Sequence, residues 1–320
     1  MSAPRRTGTL IAGTLAGLLA TFAVVPASAS SRSGFVSNVS AGVVTLRSGP
    51  AGGAITLSVH DGRLRHDARA GDGFDGAFDF DTGRAGVQQV RAAGLRMVRV
   101  QGGAGSDFVS LAAGRGYPSL VIDGGPGRDT VTTLGAVRAR GAVTIEAERI
   151  RLGAPGGPGR SPLTVASPFT ASGDITLSTT DSGPGPTDDN LTVTGSGSVT
   201  STGGSVTLRS AYAVDLQAGS SVTAANNVVL QSDASNTDTP SNGDVLVDGS
   251  VQAQAGSVSV TTGAADDTVR LAGSIASGTT SSISTGAGAD TVDVRGATVF
   301  PGTADGGGST DLLDFTNAGS

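Results

Sequence analysis

The sequence predicts an all-β fold, a right-handed parallel β-helix or β-solenoid with Gly/Asp-rich turns. Three observations predict it. First, hydrophobic residues make up 37% of the 320 residues, yet aromatics are only 3% and Trp is absent. A core must then be assembled from Val, Ala, Leu and Ile in short runs, whereas a disordered chain usually loses its β-branched residues. Second, the acids are 25 Asp and only two Glu, Glu146 and Glu148. Asp is a turn residue and a hard-cation ligand, while Glu favours helices. Third, one short pattern recurs from residue 171 on, a Gly or polar pair followed by β-branched alternation.

The first segment, 1–29, reads as a secretory leader. Arg5 and Arg6 precede an apolar run from Leu10 to Val25, and Ala27-Ser28-Ala29 offers a small-x-small cleavage site. A secreted or cell-surface location follows. Removing the two arginines takes the net charge from −6 to about −8. No other apolar stretch is long enough to span a membrane. The chain has no Cys, so disulfides cannot staple it and thiolate metal sites are excluded. All 21 basic residues are Arg. The acidic balance argues against nucleic acid as a partner, which requires clustered positive charge.

Residues 30–95 form an N-terminal β region, with strands at 41–48 and 54–67. Residues 85–95 fit a short helix or a strand; their lead into "RMVRV" favours the strand. Residues 96–152 read as further β coils. The segment "GAPGGPGRSP" at 153–162 is the best linker candidate. Residues 163–320 carry the repeat array. Its segments include "GDITLS" at 173–178, "GSVTLRS" at 204–210, "GSVSVTT" at 256–262 and "DTVDVRG" at 290–296. Each alternates with period two between turn residues. None can bury an apolar face alone, but stacked copies can. Two or three such strands make a coil of about 20–24 residues. An antiparallel sandwich is the alternative, but it would favour two-residue hairpin turns, and Asn242-Gly243 is the only Asn-Gly.

"GGAGSDFVS" at 102–110 and "GGPGRDTVT" at 124–132 repeat a five-position spelling. Gly102, Gly103, Gly105, Asp107 and Val109 correspond to Gly124, Gly125, Gly127, Asp129 and Val131. This spelling resembles the hemolysin-type calcium-binding nonapeptide of secreted RTX proteins. Partial copies follow at 262–270 around Asp266 and Asp267, at 285–293 with Gly286, Gly288 and Asp290, and at 306–314 with Asp311. The strand-rich remainder resembles secreted actinobacterial β-strand-repeat proteins. The resemblance implies Ca²⁺ as cofactor, held by glycine carbonyls of one turn and an Asp carboxylate of a neighbouring turn. Calcium takes six to eight hard oxygens, and glycine lets the backbone turn its carbonyls inward. In the family the nonapeptides run in tandem. Here the aspartates are spaced 22 (Asp107 to Asp129), 23 (Asp267 to Asp290) and 21 (Asp290 to Asp311) residues apart, which predicts one motif per coil along a single edge. A metal-free turn with Asp as a backbone cap is the plainer alternative.

Enzymatic constellations are sparse. His60 and His66, six residues apart, read as lying on one polar strand face, as exposed strand histidines or, alternatively, as a zinc pair. Asp75, Asp79 and Asp81 lie close together, as a solvated loop or as carboxylates for sugar cleavage. There is no nucleophile elbow, and with no Lys there is no phosphate loop. The threonine alternation at 191–195 would suit an ice-binding ladder but is too brief to favour it. The expected function is therefore a calcium-binding structural or adhesive surface module, with a surface polysaccharide as candidate ligand. A polysaccharide lyase or hydrolase built on a β-helix is the alternative. At the C-terminal end, Leu312, Leu313 and Phe315 form an apolar cluster with no helix or charged run beyond it, which predicts self-association there.

Overall fold

The computed structural model describes residues 35–67, 89–127, 129–147, 149–152, 163–179, 190–233, 243–296 and 300–318. The expected leader, Asp75, Asp79 and Asp81, the segment 153–162 and residues 234–242 lie outside them. The described residues are all-β. Their strands form three sheets of 11, 13 and 7 strands, and the one short helix among them is a 3₁₀ turn at Ala92–Gly94. No helix among them is long and apolar enough to cross a membrane.

The chain visits the sheets in rotation. Met97–Gln101 lies in the first, Phe108–Leu111 in the second and Gly114–Tyr117 in the third; Ser119–Asp123 then returns to the first. Each passage pairs in parallel with the passage before it, as in Val98↔Leu120, Val109↔Val131 and Arg115↔Arg138. The strands on either side of 153–162, Arg149–Leu152 and Leu163–Val165, pair in parallel as well, so the second sheet continues across that segment.

Alternation fixes which side chains point inward. The inward columns run Ile145, Leu177, Leu208, Leu230, Val260, Ile283 in the first sheet. They run Leu191, Val214, Val245, Val269, Val292 in the second, and Val137, Phe169, Val199, Val222, Val251, Ile275 in the third. All are buried. A register-matched column accepts one aliphatic side chain per strand, which accounts for the scarcity of aromatics. Leu208→Ala is expected to cost about 2–5 kcal/mol by transfer and cavity terms. The outward-facing Thr207→Ala should stay within about 0.5 kcal/mol. Urea denaturation of both variants checks the pair.

The N-terminal end departs from the all-parallel expectation. Val36–Ser40 pairs antiparallel with Val43–Arg47, and Ala54–His60 pairs antiparallel with Arg63–Asp67, on which Gln89–Arg91 adds a third antiparallel strand. Both tight hairpins turn on two residues of positive φ, Ala41 (48°) with Gly42 (77°), and Asp61 (49°) with Gly62 (68°). Mirror-image turns of this kind match strand twist. The second hairpin overturns the reading of His60 and His66 as lying on one polar strand face. The turn at Asp61-Gly62 falls between them. His60 is exposed beside Asp61 at 3.1 Å, whereas His66 is fully buried opposite Leu57.

Candidate metal centre

All five Gly/Asp segments fall at the same corner, between a first-sheet strand and the following second-sheet strand. Residues 102–107 join Met97–Gln101 to Phe108–Leu111, and 124–129 join Ser119–Asp123 to Thr130–Thr133. Residues 262–267, 285–290 and 306–311 do the same nearer the C-terminus. The aspartate spacings equal the strand register offsets, as in Thr130↔Phe108, Thr268↔Thr291 and Thr291↔Leu312. The motifs thus stack in two groups, one of two turns and one of three.

The glycines are needed for close approach more than for positive φ. Gly125 (80°), Gly286 (89°) and Gly288 (143°) do have positive φ, but Gly102, Gly103, Gly105, Gly124 and Gly127 do not. A Cβ on Gly102 would overlap the carbonyl oxygen of Gly124, and one on Gly127 would overlap that of Gly105. One on Gly125 would lie 2.7 Å from the Gly103 oxygen. Successive turns therefore touch backbone to backbone, with carbonyl oxygens packed into the contact.

The aspartates face inward and are buried, with Asp107, Asp129, Asp267 and Asp290 at most 2% exposed. Each carboxylate reaches back one circuit. The Asp107 N–H donates to Asp129 Oδ1 at 2.7 Å, the Asp267 N–H to Asp290 Oδ1 at 2.9 Å, and the Asp290 N–H to Asp311 Oδ1 at 3.1 Å. Within the turn, the second-position N–H donates to the other oxygen, Gly103 to Asp107 Oδ2 and Gly263 to Asp267 Oδ2, both at 3.0 Å. The result is a file of carboxylates clamped by backbone amides.

Partners absent from the motif complete the file. The Ser48 hydroxyl donates to Asp107 Oδ2 at 2.9 Å, and the Gly243 N–H donates to Asp267 Oδ1 at 2.6 Å. In the partial motifs, Thr262 and Thr285 stand where the first glycine belongs. The Thr262 hydroxyl donates to the Thr285 carbonyl at 2.7 Å, and the Thr285 hydroxyl to the Gly306 carbonyl at 3.2 Å. The turn "SGPAGG" at 48–53 carried a signal in its glycines, but with no Asp it did not match the pattern.

Burial raises the carboxyl pKa values of Asp267 and Asp107. Asp267 is pushed up to about 6, chiefly by desolvation, against the adjacent Thr262 side chain and hydrogen bonds from the Gly243 and Gly263 N–H groups, with the neighbouring Asp290 charge adding to the rise. Asp107 is also raised by burial, offset by Ser48, Gly103 and Gly53.

The donor set offers a hard cation open buried carboxylate oxygens at this corner, among them Asp233 Oδ1 and Asp290 Oδ2. Asp290 Oδ2 is buried and accepts no hydrogen bond, an anionic oxygen left for a ligand in a file of like charges. No cluster of three or more His, Cys, Asp or Glu able to hold a metal occurs among the described residues, so an ion here would rest on backbone carbonyls around single carboxylates. Comparison with protein-family models, curated proteins and solved structures found no match.

Proposed function

We propose that this chain is a secreted structural or adhesive module of the cell surface, a right-handed parallel β-helix whose corner turns are stabilised by Ca²⁺. The rotation through three parallel sheets supports the coil, and the strong preference of parallel crossovers supports its hand. The leader-like N-terminus supports export. For calcium, the carrying observation is the file of buried carboxylates with the open oxygen of Asp290. Asp107, Asp129, Asp267, Asp290 and Asp311 would hold the ions, with carbonyls of Gly102, Gly103, Gly105, Gly124, Gly125, Gly127, Gly286 and Gly288 as the neutral ligands. The ion supplies positive charge that offsets carboxylate repulsion and desolvation. Outward Ser and Thr in register on the parallel faces, such as the row Thr144, Thr176, Thr207, suit contact with a hydroxyl-rich surface polysaccharide.

The test is thermal melting of leader-free protein in Ca²⁺, Mg²⁺ and chelator, followed by circular dichroism. At free calcium 100-fold above Kd, each site is expected to add about 2.7 kcal/mol. Mg²⁺ should add much less, because it demands a tighter octahedral shell and keeps its waters. Asp129→Ala should lose more of the increment than Asp266→Ala, since Asp266 is exposed. Coincident curves in calcium and chelator would refute the calcium reading.

A further inference from the structure

The group of three Gly/Asp turns begins against a circuit that carries no motif. Gln231 pairs with Thr261, Thr261 with Ser284 and Ser284 with Asp305. Two residues further along each passage, Asp233 therefore falls in line with Gly263, Gly286 and Gly307, at the place of the motif's second glycine. Its backbone takes a glycine-like conformation there: φ is 53°, beside 89° at Gly286 and 81° at Gly307. The other non-glycine residues with positive φ among the described residues, Ala41 and Asp61, sit in hairpin turns. Asp233 closes no hairpin, since the strands on either side, Val228–Gln231 and Val245–Val247, lie in different sheets. Left-handed backbone is disfavoured for a residue with a Cβ.

The side chain of Asp233 is laid against the first motif turn. A Cβ on Gly263 would overlap Asp233 Oδ2, and the Ala264 N–H donates to that oxygen at 3.4 Å. Oδ1 is buried and accepts no hydrogen bond. One point gathers the oxygen-bearing side chains: a Cβ built on Gly243 would lie 2.8 Å from Asp233 Cβ, 3.3 Å from Asp267 Oδ1 and 3.3 Å from the Ser232 hydroxyl oxygen. Neither Asp233 nor Asp267 takes part in the three ion pairs found among the described residues. The two-turn group is built differently at this place. Arg47 pairs with Gln101, so Ser48 and Gly49 precede its first turn, and the Ser48 hydroxyl donates to Asp107 Oδ2 at 2.9 Å. A hydroxyl can satisfy a carboxylate. A second carboxylate cannot, and two anions brought together in a partly dry corner call for positive charge.

We propose that Asp233 is a calcium ligand, and that the three-turn group holds an ion on its N-terminal side, where the circuit of Asp233 meets the turn of Asp267. The inference rests on the calcium reading and extends it to a residue outside every motif. Asp233 supplies charged oxygen where the preceding circuit lacks the glycine spelling, and its carboxylate adds to the negative charge that sets calcium affinity.

Thermal melting in Ca²⁺ and in chelator tests it, with two variants beside the wild type. Asp233→Asn keeps the shape and removes the charge. Asp233→Gly removes every side-chain oxygen and places there the residue that the other turns use. Both replacements tolerate a φ of 53°, so both should fold. In chelator Asp233→Asn should melt at or above the wild type, because an unpaired charge is gone. In calcium both variants should fall below the wild type. Calcium affinity at this place should weaken about tenfold or more, since loss of even a supporting partner weakens a metal site that far. Terbium, which takes the same oxygen ligands and emits when a nearby tyrosine is excited, reports the location. The chain has two Tyr and no Trp. The Tyr212 carbonyl accepts the Asp233 N–H at 3.2 Å, whereas Tyr117 lies in the third sheet. The part of the emission that Tyr212→Phe removes should fall in Asp233→Asn, while Tyr212→Phe keeps the calcium response in melting. Wild-type curves that coincide in calcium and chelator would remove the calcium reading and this inference with it. A wild type that responds to calcium, with variants whose melts shift equally in calcium and chelator and whose emission is unchanged, would overturn the role of Asp233 alone.

Discussion

Gly102→Ala is expected to be among the most damaging single substitutions in this chain. The added methyl group would overlap the Gly124 carbonyl oxygen in the next turn, and that atom belongs to backbone held by the Gly124 N–H bond to the Glu146 carbonyl at 2.8 Å. Neither side can yield without breaking a ladder bond. The cost should reach about 3 kcal/mol or more, the upper range for overpacking. The φ of Gly102 is not positive, so the loss reports close approach alone. Gly308→Ala is the control: a Cβ there meets nothing within 4 Å, and its effect should stay within about 0.5 kcal/mol. Urea denaturation with equal midpoints for the two variants would show that the turns do not stack as described.

Metal-free protein should become more stable as the pH falls from 8 to 5. Asp267 has a folded pKa of about 6 against 3.8 for the free side chain. The folded state therefore binds the proton more tightly than the unfolded state, and stability declines as pH rises from about 4 to about 6 and levels off above. The buried charge at neutral pH costs roughly 1–3 kcal/mol on this basis. Asp290, whose charge contributes to the rise, belongs to the same file. Calcium should reverse the trend, because it binds the ionised carboxylate. Its stabilisation should be larger at pH 8 than at pH 5. Asp267→Asn should flatten the metal-free profile in this window. Melting temperatures measured with chelator across the range decide it, and a wild-type profile as flat as that of the variant would remove Asp267 from the account.

The corner turns were legible because five residue types recur at fixed offsets. Their interval of 21–23 residues already equalled the register of the parallel strands. The direction of each aspartate was not legible. Oδ1 of Asp129, Asp290 and Asp311 accepts from the backbone of the previous circuit, and a backbone N–H leaves no mark on the spelling. Ser48 and Gly243 entered the site for the same reason, since they lie opposite the motif only after the circuits stack; Thr262 and Thr285 sit inside the partial motifs, but their bonds to carbonyls of the next circuit are equally unwritten in the spelling.

By itself the sequence determined the all-β class, the aliphatic core and the corner at which the Gly/Asp turns gather. These follow from local alternation, composition and spacing, which act within a few residues or repeat at a constant interval. Tertiary structure alone decided the rest. It folded the N-terminal strands back as antiparallel hairpins, although the Asp61-Gly62 pair was in view. It separated His60 from His66 and clamped the buried aspartates between circuits. Each of these depends on which backbone lies one circuit away. That choice is made by burying apolar faces against distant segments, and no local pattern records it.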